Sequence, residues 1–325
     1  MAQEAADWTA QPVSALMAPV ASRNRLLSIA QAGSRAIAVG QQGVILVSDE
    51  GKTWRQVASP VSQMLTRVRF ADERNGWITG HDAVILATRD GGETWTVQHL
   101  DANSRPLYDL QFVDADRGIA VGGYGTLLST VDGGKSWTTL ASPLADLGLH
   151  FNRLVKVQDG SLLVAGEKGL LARSTDGGAN WRLLKSPYAG SYFGLLPLGG
   201  NKVLAYGMRG NVFVTEDIRA CPVHDVTSWD PHAENTRILA NNIAALGWRQ
   251  LASPSKESLF GALRQANGEA LLVGINGSAL VTELAASRLH AVPIPAEETL
   301  VDMLNIGSRL IAVGKRGVQD LGEAR

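Results

Sequence analysis

The sequence holds one cysteine, Cys221, in 325 residues. A lone thiol excludes an internal disulfide and any zinc site built from several cysteines, and a cysteine-poor chain suits a cell envelope as well as a cytosol. There is no basic excess either: 30 Lys and Arg face 31 Asp and Glu, for a net charge of −1. A dedicated nucleic-acid binder would carry a strong positive balance or patch, so that class is set aside. No apolar run approaches the length of a membrane span. Helical periodicity is scarce, while apolar residues alternate over short runs such as 107–113 and 117–121 with turn signals between them, which reads as strands.

Several catalytic signatures are missing too. A serine hydrolase needs Gly-x-Ser-x-Gly, and the nearest approach is Gly190-Ser191-Tyr192-Phe193-Gly194. The Gly-Lys-Thr at 51–53 and Gly-Lys-Ser at 134–136 lack the first glycine of a phosphate loop, having Leu46 and Ser129 there. Cys221, His224, Asp225, Asp230, His232 and Glu234 fall within one stretch, but their spacing matches no strong ligand motif, so they read as loop residues and no metal is expected.

What the sequence does contain is a repeat, seen best in VGGYGTLLSTVDGGKSW from Val121 to Trp137. Gly122 and Gly125 frame a tight turn between two strands, Asp132-Gly133-Gly134 turns the chain again, and Trp137 opens a third strand. The Gly-x-x-Gly turn recurs at Gly40/Gly43, Gly122/Gly125, Gly166/Gly169, Gly207/Gly210, Gly274/Gly277 and Gly314/Gly317, with Gly80 and Ala83 as a variant. By subtraction, the steps between first glycines are 40, 42, 44, 41, 67 and 40 residues. Seven units of this period predict an all-β, seven-bladed propeller forming a single domain over 1–325. The long step places an insertion in blade five at about 217–247, since 41 residues separate Gly207 from Trp248 against 15 from Gly122 to Trp137. Within it, 236–246 has the spacing of a short amphipathic helix, and 221–232 reads as loop.

The second turn of each unit resembles the Asp-box of bacterial-neuraminidase-type repeats, Ser/Thr-x-Asp-x-Gly-x-x-Trp. Its residues are Asp49 and Trp54, Asp90 and Trp95, Asp132 and Trp137, and Asp176 and Trp181. The first copy has Val47 at the Ser/Thr position. The carboxylate can accept backbone N–H groups of its own turn, and the indole is suited to anchor that turn between blades, so these are structural residues. Blade six has Leu289 where the tryptophan would stand. The last unit stops before any tryptophan, and the strand begun by Trp8 is expected to complete it, closing the ring by pairing the N- and C-terminal strands.

Turn, strand and Asp-Gly-Gly-x-x-Trp, repeated at about forty residues, together resemble the photosystem II stability and assembly factor family of propellers. The resemblance implies a non-enzymatic scaffold of the envelope or thylakoid that helps a membrane protein assemble or work. Photosystem II itself is not implied, because relatives occur in non-photosynthetic bacteria, often beside exporters of the resistance-nodulation-division type. The expected function is therefore an assembly scaffold with no cofactor, a membrane protein or transporter as partner, and no membrane span of its own. A periplasmic location is expected, with Met1 an added start and Ala2-Gln3-Glu4-Ala5 the beginning of a mature exported chain whose signal peptide has been removed.

The turns between second and third strands share a rim with the loops leading into each inner strand. From that rim the candidate partner-binding residues are His81, Asp82, Arg105, Tyr124, Lys168, Tyr192, Met208, Arg209, Lys315 and Arg316. Arg67, Arg69, Tyr108, His150, Arg153 and Tyr188 add to the same loops and inner strands. The alternatives are a carbohydrate-active, sialidase-like propeller and a small-ligand-binding one. Against the first, the chain lacks the Arg-Ile-Pro segment of sialidases and has seven units where they have six blades. In its favour would be arginines and carboxylates converging on the central channel.

Overall fold

Each forty-residue unit folds into one antiparallel sheet whose strands follow in chain order from the ring axis outward. The computed structural model describes residues 12–226, 229–231, 239–296 and 298–323. The inner strands are Leu26–Ala32, Leu65–Phe70, Leu107–Phe112, Phe151–Lys156, Tyr192–Gly199, Leu259–Arg264 and Leu300–Ile306. Second strands such as Gly76–Gly80, Gly118–Gly122, Leu162–Gly166 and Ala270–Gly274 are buried along their whole length. Both faces of a blade are covered by its neighbours, so these strands read as continuous apolar runs rather than alternating ones.

The Asp turns join neighbouring blades. In the turn after Ile85–Thr88, Asp90 Oδ1 accepts the backbone N–H groups of Glu93 and Thr94, each at 3.0 Å. Thr88 Oγ1 donates to the same carboxylate and accepts Gly92 N–H at 3.0 Å. Burial opposes charge there, but the bonds from Thr94, Thr88 and Glu93 prevail and hold Asp90 down at about 2. Trp95 Nε1 donates to Gly92 O at 3.0 Å, and its ring packs with Ile37, Val39 and Ile78, bridging blades one and two. Asp132 and Asp176 make the corresponding bonds in their turns. Asp49 differs. Its turn is one residue shorter, Ser48 supplies the hydroxyl to Gly51 N–H, and Asp49 instead pairs with Arg35 at 2.9 Å.

Around the ring ends, Asp302 of the last inner strand accepts Ile29 N–H and Ser28 Oγ of the first. The last blade has three strands among the described residues. The closing strand assigned to Trp8 lies outside those residues. Ala15 and Ala18 donate to Ser59 O and Gln56 Oε1 of blade one, and the 3-10 turn Ala21–Arg23 follows.

The insertion departs from its expected form in two places. It leaves blade five after Val212–Thr215 and returns at Arg249–Gln250, but Val223–His224 pairs with Arg182–Leu184 as a fifth strand of blade four. A two-residue strand within 221–232, expected as loop, thus covers the outer edge of the neighbouring blade. Further on, residues 239–246 are not an α-helix: Leu239 bridges to Tyr188, and Ala244–Leu246 is a single 3-10 turn ended by Gly247 at φ 75°. Docking onto blade four draws this segment out, so its apolar spacing serves contact rather than a helical face. The remainder of the expected helix, 236–238, lies outside the described residues.

Candidate partner-binding rim

The Gly-x-x-Gly turns are built alike in every blade. The residue after the first glycine donates its N–H to the carbonyl just before the inner strand, from Gln41 to Arg25 through Lys315 to Thr299, at 2.9–3.2 Å in all seven. A Cβ on Gly122 would lie 2.1 Å from Pro106 O, so the carbonyl can approach only a glycine. Gly125 sits at φ +76°, and a Cβ there would lie 2.0 Å from Ala145 O of the following loop. These contacts hold the turn tips and the loops leading inward at one rim. Between the glycines, Gln42, Asp82, Tyr124, Lys168, Arg209 and Asn276 occupy the left-handed region at φ 53–58°. Backbone strain at these tips is the cost of keeping the turn tight.

One arc of this rim gathers aromatic and basic groups. The Arg105 guanidinium lies 4.9 Å from the centre of the Tyr124 ring. Tyr124 meets His150 edge-on at 4.6 Å, and His150 is 5.9 Å from Tyr108. The His150 N–H donates to Glu167 Oε1 at 3.1 Å, fixing the next turn beside the cluster. Burial raises the Tyr108 phenol, with Tyr124 and Glu167 adding to it, so it remains a neutral donor. Tyr124 is 59 % exposed, the largest exposed aromatic face among the described residues. Lys168, on the tip of blade four, borders a cavity of about 480 Å³ under the insertion, whose wall includes Lys185, Tyr188, His224, Trp229 and Leu239.

The other candidates divide. His81 and Arg209 are exposed, and Asp82 accepts from Gln63 Nε2 at 3.2 Å. Met208 is half-buried against the core that contains Trp248. Lys315 and Arg316 both pair with Glu298, at 3.0 and 3.3 Å, so one of the seventh tip's two charges is offset and both cations already hold a partner. Tyr192 is not a rim residue. It is fully buried, shares a hydrogen bond with Ser186 Oγ at 2.9 Å and packs on Tyr188 and Phe213, and burial pushes its phenol far up. Its position explains this. It begins an inner strand, as do the buried Leu26, Leu65, Leu107, Phe151, Leu259 and Leu300. Tyr188 is buried as well. In the insertion, Cys221 is a core residue whose thiol burial pushes up, and His232 and Glu234 lie outside the described residues.

A second cluster occupies the ring axis, where sequence patterning alone had not grouped the residues. Every inner strand has a register shift after its first residue. The side chains just beyond it are Ser28, Arg67, Asp109, Arg153, Gly194, Gly261 and Asp302. Arginines and carboxylates do therefore converge on the channel. Both carboxylates are already engaged. Asp109 takes Arg69 in a two-point bond at 3.0 and 2.8 Å and accepts Leu154 N–H of the next blade at 3.1 Å. Asp302 takes Arg67 at 2.8 Å besides the two groups of blade one. Burial alone would raise Asp109, but Arg69, Arg67 and Arg153 outweigh it and hold the carboxyl at about 2.

A model of the family described as photosynthesis system II assembly factor YCF48 matches residues 46–106 and 103–267 of this chain. The chain belongs to this family. Two relatives carry the family's names. The chloroplastic photosystem II stability/assembly factor HCF136 of Cyanidioschyzon merolae is 35 % identical over 81 residues, 23 % of this chain and 18 % of that one. The photosystem II assembly protein Ycf48 of Thermosynechococcus vestitus is 36 % identical over 42 residues, 13 % of this chain and 12 % of that one. The aligned stretches thus span less than a fifth of either relative. Among solved structures, one described as YCF48 bound to D1 peptide superposes with a TM-score of 0.68 at 16 % identity over 96 % of both chains. YCF48 from Cyanidioschyzon merolae gives 0.68 at 15 % identity, over 93 % of this chain and 97 % of that one. At these identities the likeness shows the seven-bladed fold. The rim residues of this YCF48-family chain are argued from its own geometry.

Proposed function

We propose that this chain is a non-enzymatic assembly scaffold that binds a segment of a membrane protein across the rim of blades three and four, beside the blade-five insertion. The observation that carries this reading is the Arg105–Tyr124–His150 cluster: an exposed aromatic face with a cation, tied through the His150–Glu167 bond to the turn whose Lys168 edges a cavity. Tyr and Arg are the residues that dominate binding energy when a partner covers them. Membership of an assembly-factor family supports the scaffold role, and a YCF48 described as bound to D1 peptide is a precedent for a peptide partner. The finer reading is a periplasmic location and a transporter partner, with an exporter of the resistance-nodulation-division type as the first to test. A sialidase-like activity is disfavoured, because a glycosidase acid needs a raised pKa and the channel carboxyl of Asp109 is held at about 2.

The test is affinity purification with crosslinking from envelope membranes. It compares the wild type, the double variant Arg105→Ala/Tyr124→Ala, and a chain in which residues 219–246 are replaced by a short turn. The wild type should recover one integral membrane protein that the double variant loses. Loss in the turn replacement as well would extend the site onto the insertion. Equal recovery by the double variant, or reproducible glycoside turnover, would contradict the proposal.

A further inference from the structure

The channel ring is not balanced. Arg67, Arg69 and Arg153 face Asp109 and Asp302, and three guanidinium groups against two carboxylates leave one positive charge over. That excess falls on Arg153. Its Nε stands 3.8 Å from Asp109 Oδ2, beyond hydrogen-bond reach, while Arg69 takes both oxygens of that carboxylate at 3.0 and 2.8 Å. Arg153 is only 7 % exposed, and neither its Nε nor its Nη1 makes a hydrogen bond within the protein. A buried cation with free donors is among the costliest groups a fold can hold.

Besides Arg67 Nε, which is also without a hydrogen-bond partner, the same ring contains an unpaired hydroxyl. Blades five and six carry Gly194 and Gly261 where the other five carry side chains. Tyr206, paired opposite Gly194, fills one gap: a Cβ at 194 would lie 2.1 Å from its hydroxyl oxygen. Tyr206 is fully buried, and its hydroxyl likewise has no hydrogen-bond partner in the protein. Arg153 and Gly194 hold equivalent positions on the neighbouring inner strands of blades four and five, so Tyr206, which fills the gap at Gly194, enters the ring beside Arg153. Burial raises this phenol, and Arg153 is the largest charge acting against that rise. Burial, and then the neighbouring Arg153, lowers Arg67 to about 10, with Asp302 and Asp109 acting against them. Arg69, 31 % exposed at its side chain, connects the cluster to solvent.

We propose that the centre of this ring binds one small monovalent anion, a halide or a simple carboxylate, held by the Arg153 guanidinium and the Tyr206 hydroxyl. Such an anion balances the ring's charge and supplies the acceptor that both donors lack. A neutral water molecule would supply an acceptor but leave the charge. The site joins the inner strand of blade four, Phe151–Lys156, to the second strand of blade five, Lys202–Gly207, so its occupant ties these neighbouring blades together independently of any partner on the rim.

The test uses the full chain and two probes, sodium bromide and sodium acetate, each replacing a bulky sulfonate at constant ionic strength. The wild-type melting temperature should rise by roughly 2–4 °C for each tenfold increase in probe above the dissociation constant. Tyr206→Phe removes only the hydroxyl and should weaken binding about fivefold or more while remaining folded. Arg153→Gln should abolish the dependence. Bromide-soaked crystals should give an anomalous peak between Arg153 and Tyr206. A wild type with no such dependence and no peak, or an equal response in the wild type and Tyr206→Phe, would overturn the proposal.

Discussion

The rim arc and the channel ring are made of the same materials, arginine, tyrosine and carboxylate, yet they do opposite things. On the axis, Asp109 and Asp302 are spent on arginines and on backbone N–H groups of the next blade, so their charge holds inner strands together. At the rim, Arg105 lies against an aromatic face and Tyr124 stands out into solvent on a strained turn. The difference teaches that residue type does not separate a scaffold's glue from its binding surface. Burial and the number of partners already taken do.

Substitutions should therefore divide cleanly between stability and binding. The largest effect is expected at Asp109→Ala, which leaves Arg69 and Arg153 facing a hole. It should cost about 3–5 kcal/mol in urea unfolding, and a loss below about 1 kcal/mol would mean that the ring is not a structural clamp. Gly125→Ala attacks the frame that positions the rim. With φ at +76° and Ala145 O at 2.0 Å, it should cost about 2–4 kcal/mol, read from the same curves. Tyr124→Ala should do the reverse: partner affinity falls by about 30-fold in titrations, while stability stays within about 0.5 kcal/mol. A melting shift as large as that of Gly125→Ala would erase the distinction.

Acid titration sharpens the comparison further. Asp109 is held at about 2, below its ordinary 3.8, so the stability it contributes is complete above about pH 4 and is lost as pH falls towards 2. Unfolding curves between pH 5 and 2 should show that loss, and Asp109→Asn should flatten the part due to this residue. Asp90, also held at about 2, will titrate in the same window, so the difference between wild type and variant is the quantity to read. The smallest effect is expected at Lys315→Ala. Its exposed pair with Glu298 should change stability by no more than about 0.5 kcal/mol and leave partner affinity unchanged.

Much of the ring could be read in the sequence because its requirements are local. A glycine that must admit a carbonyl at Gly122, or adopt positive φ at Gly125, has few substitutes, so the spacing of such residues reports the blades directly. The Trp95 turn is similar, since its carboxylate and hydroxyl bond within their own loop. Long-range contacts left no such mark. Tyr192 looked like a rim aromatic because it neighbours the lead-in loop, and only its equivalence to Leu65 and Phe151 as a strand's first residue reveals that it is core. That equivalence was available in the repeat. By contrast, nothing local announces that Val223–His224 will join the edge of blade four, or that Tyr206 will take the place of a side chain at Gly194. Both depend on how blades meet.

The most direct test of the rim as the binding surface is site-specific photocrosslinking in the native envelope, with the crosslinker placed at 124, 168 or 316 in turn. The account predicts one membrane protein captured from 124 and from 168, beside the cavity, and none from 316 on the seventh tip, whose cations are already paired with Glu298. Capture from 316 with none from 124 or 168 would contradict it.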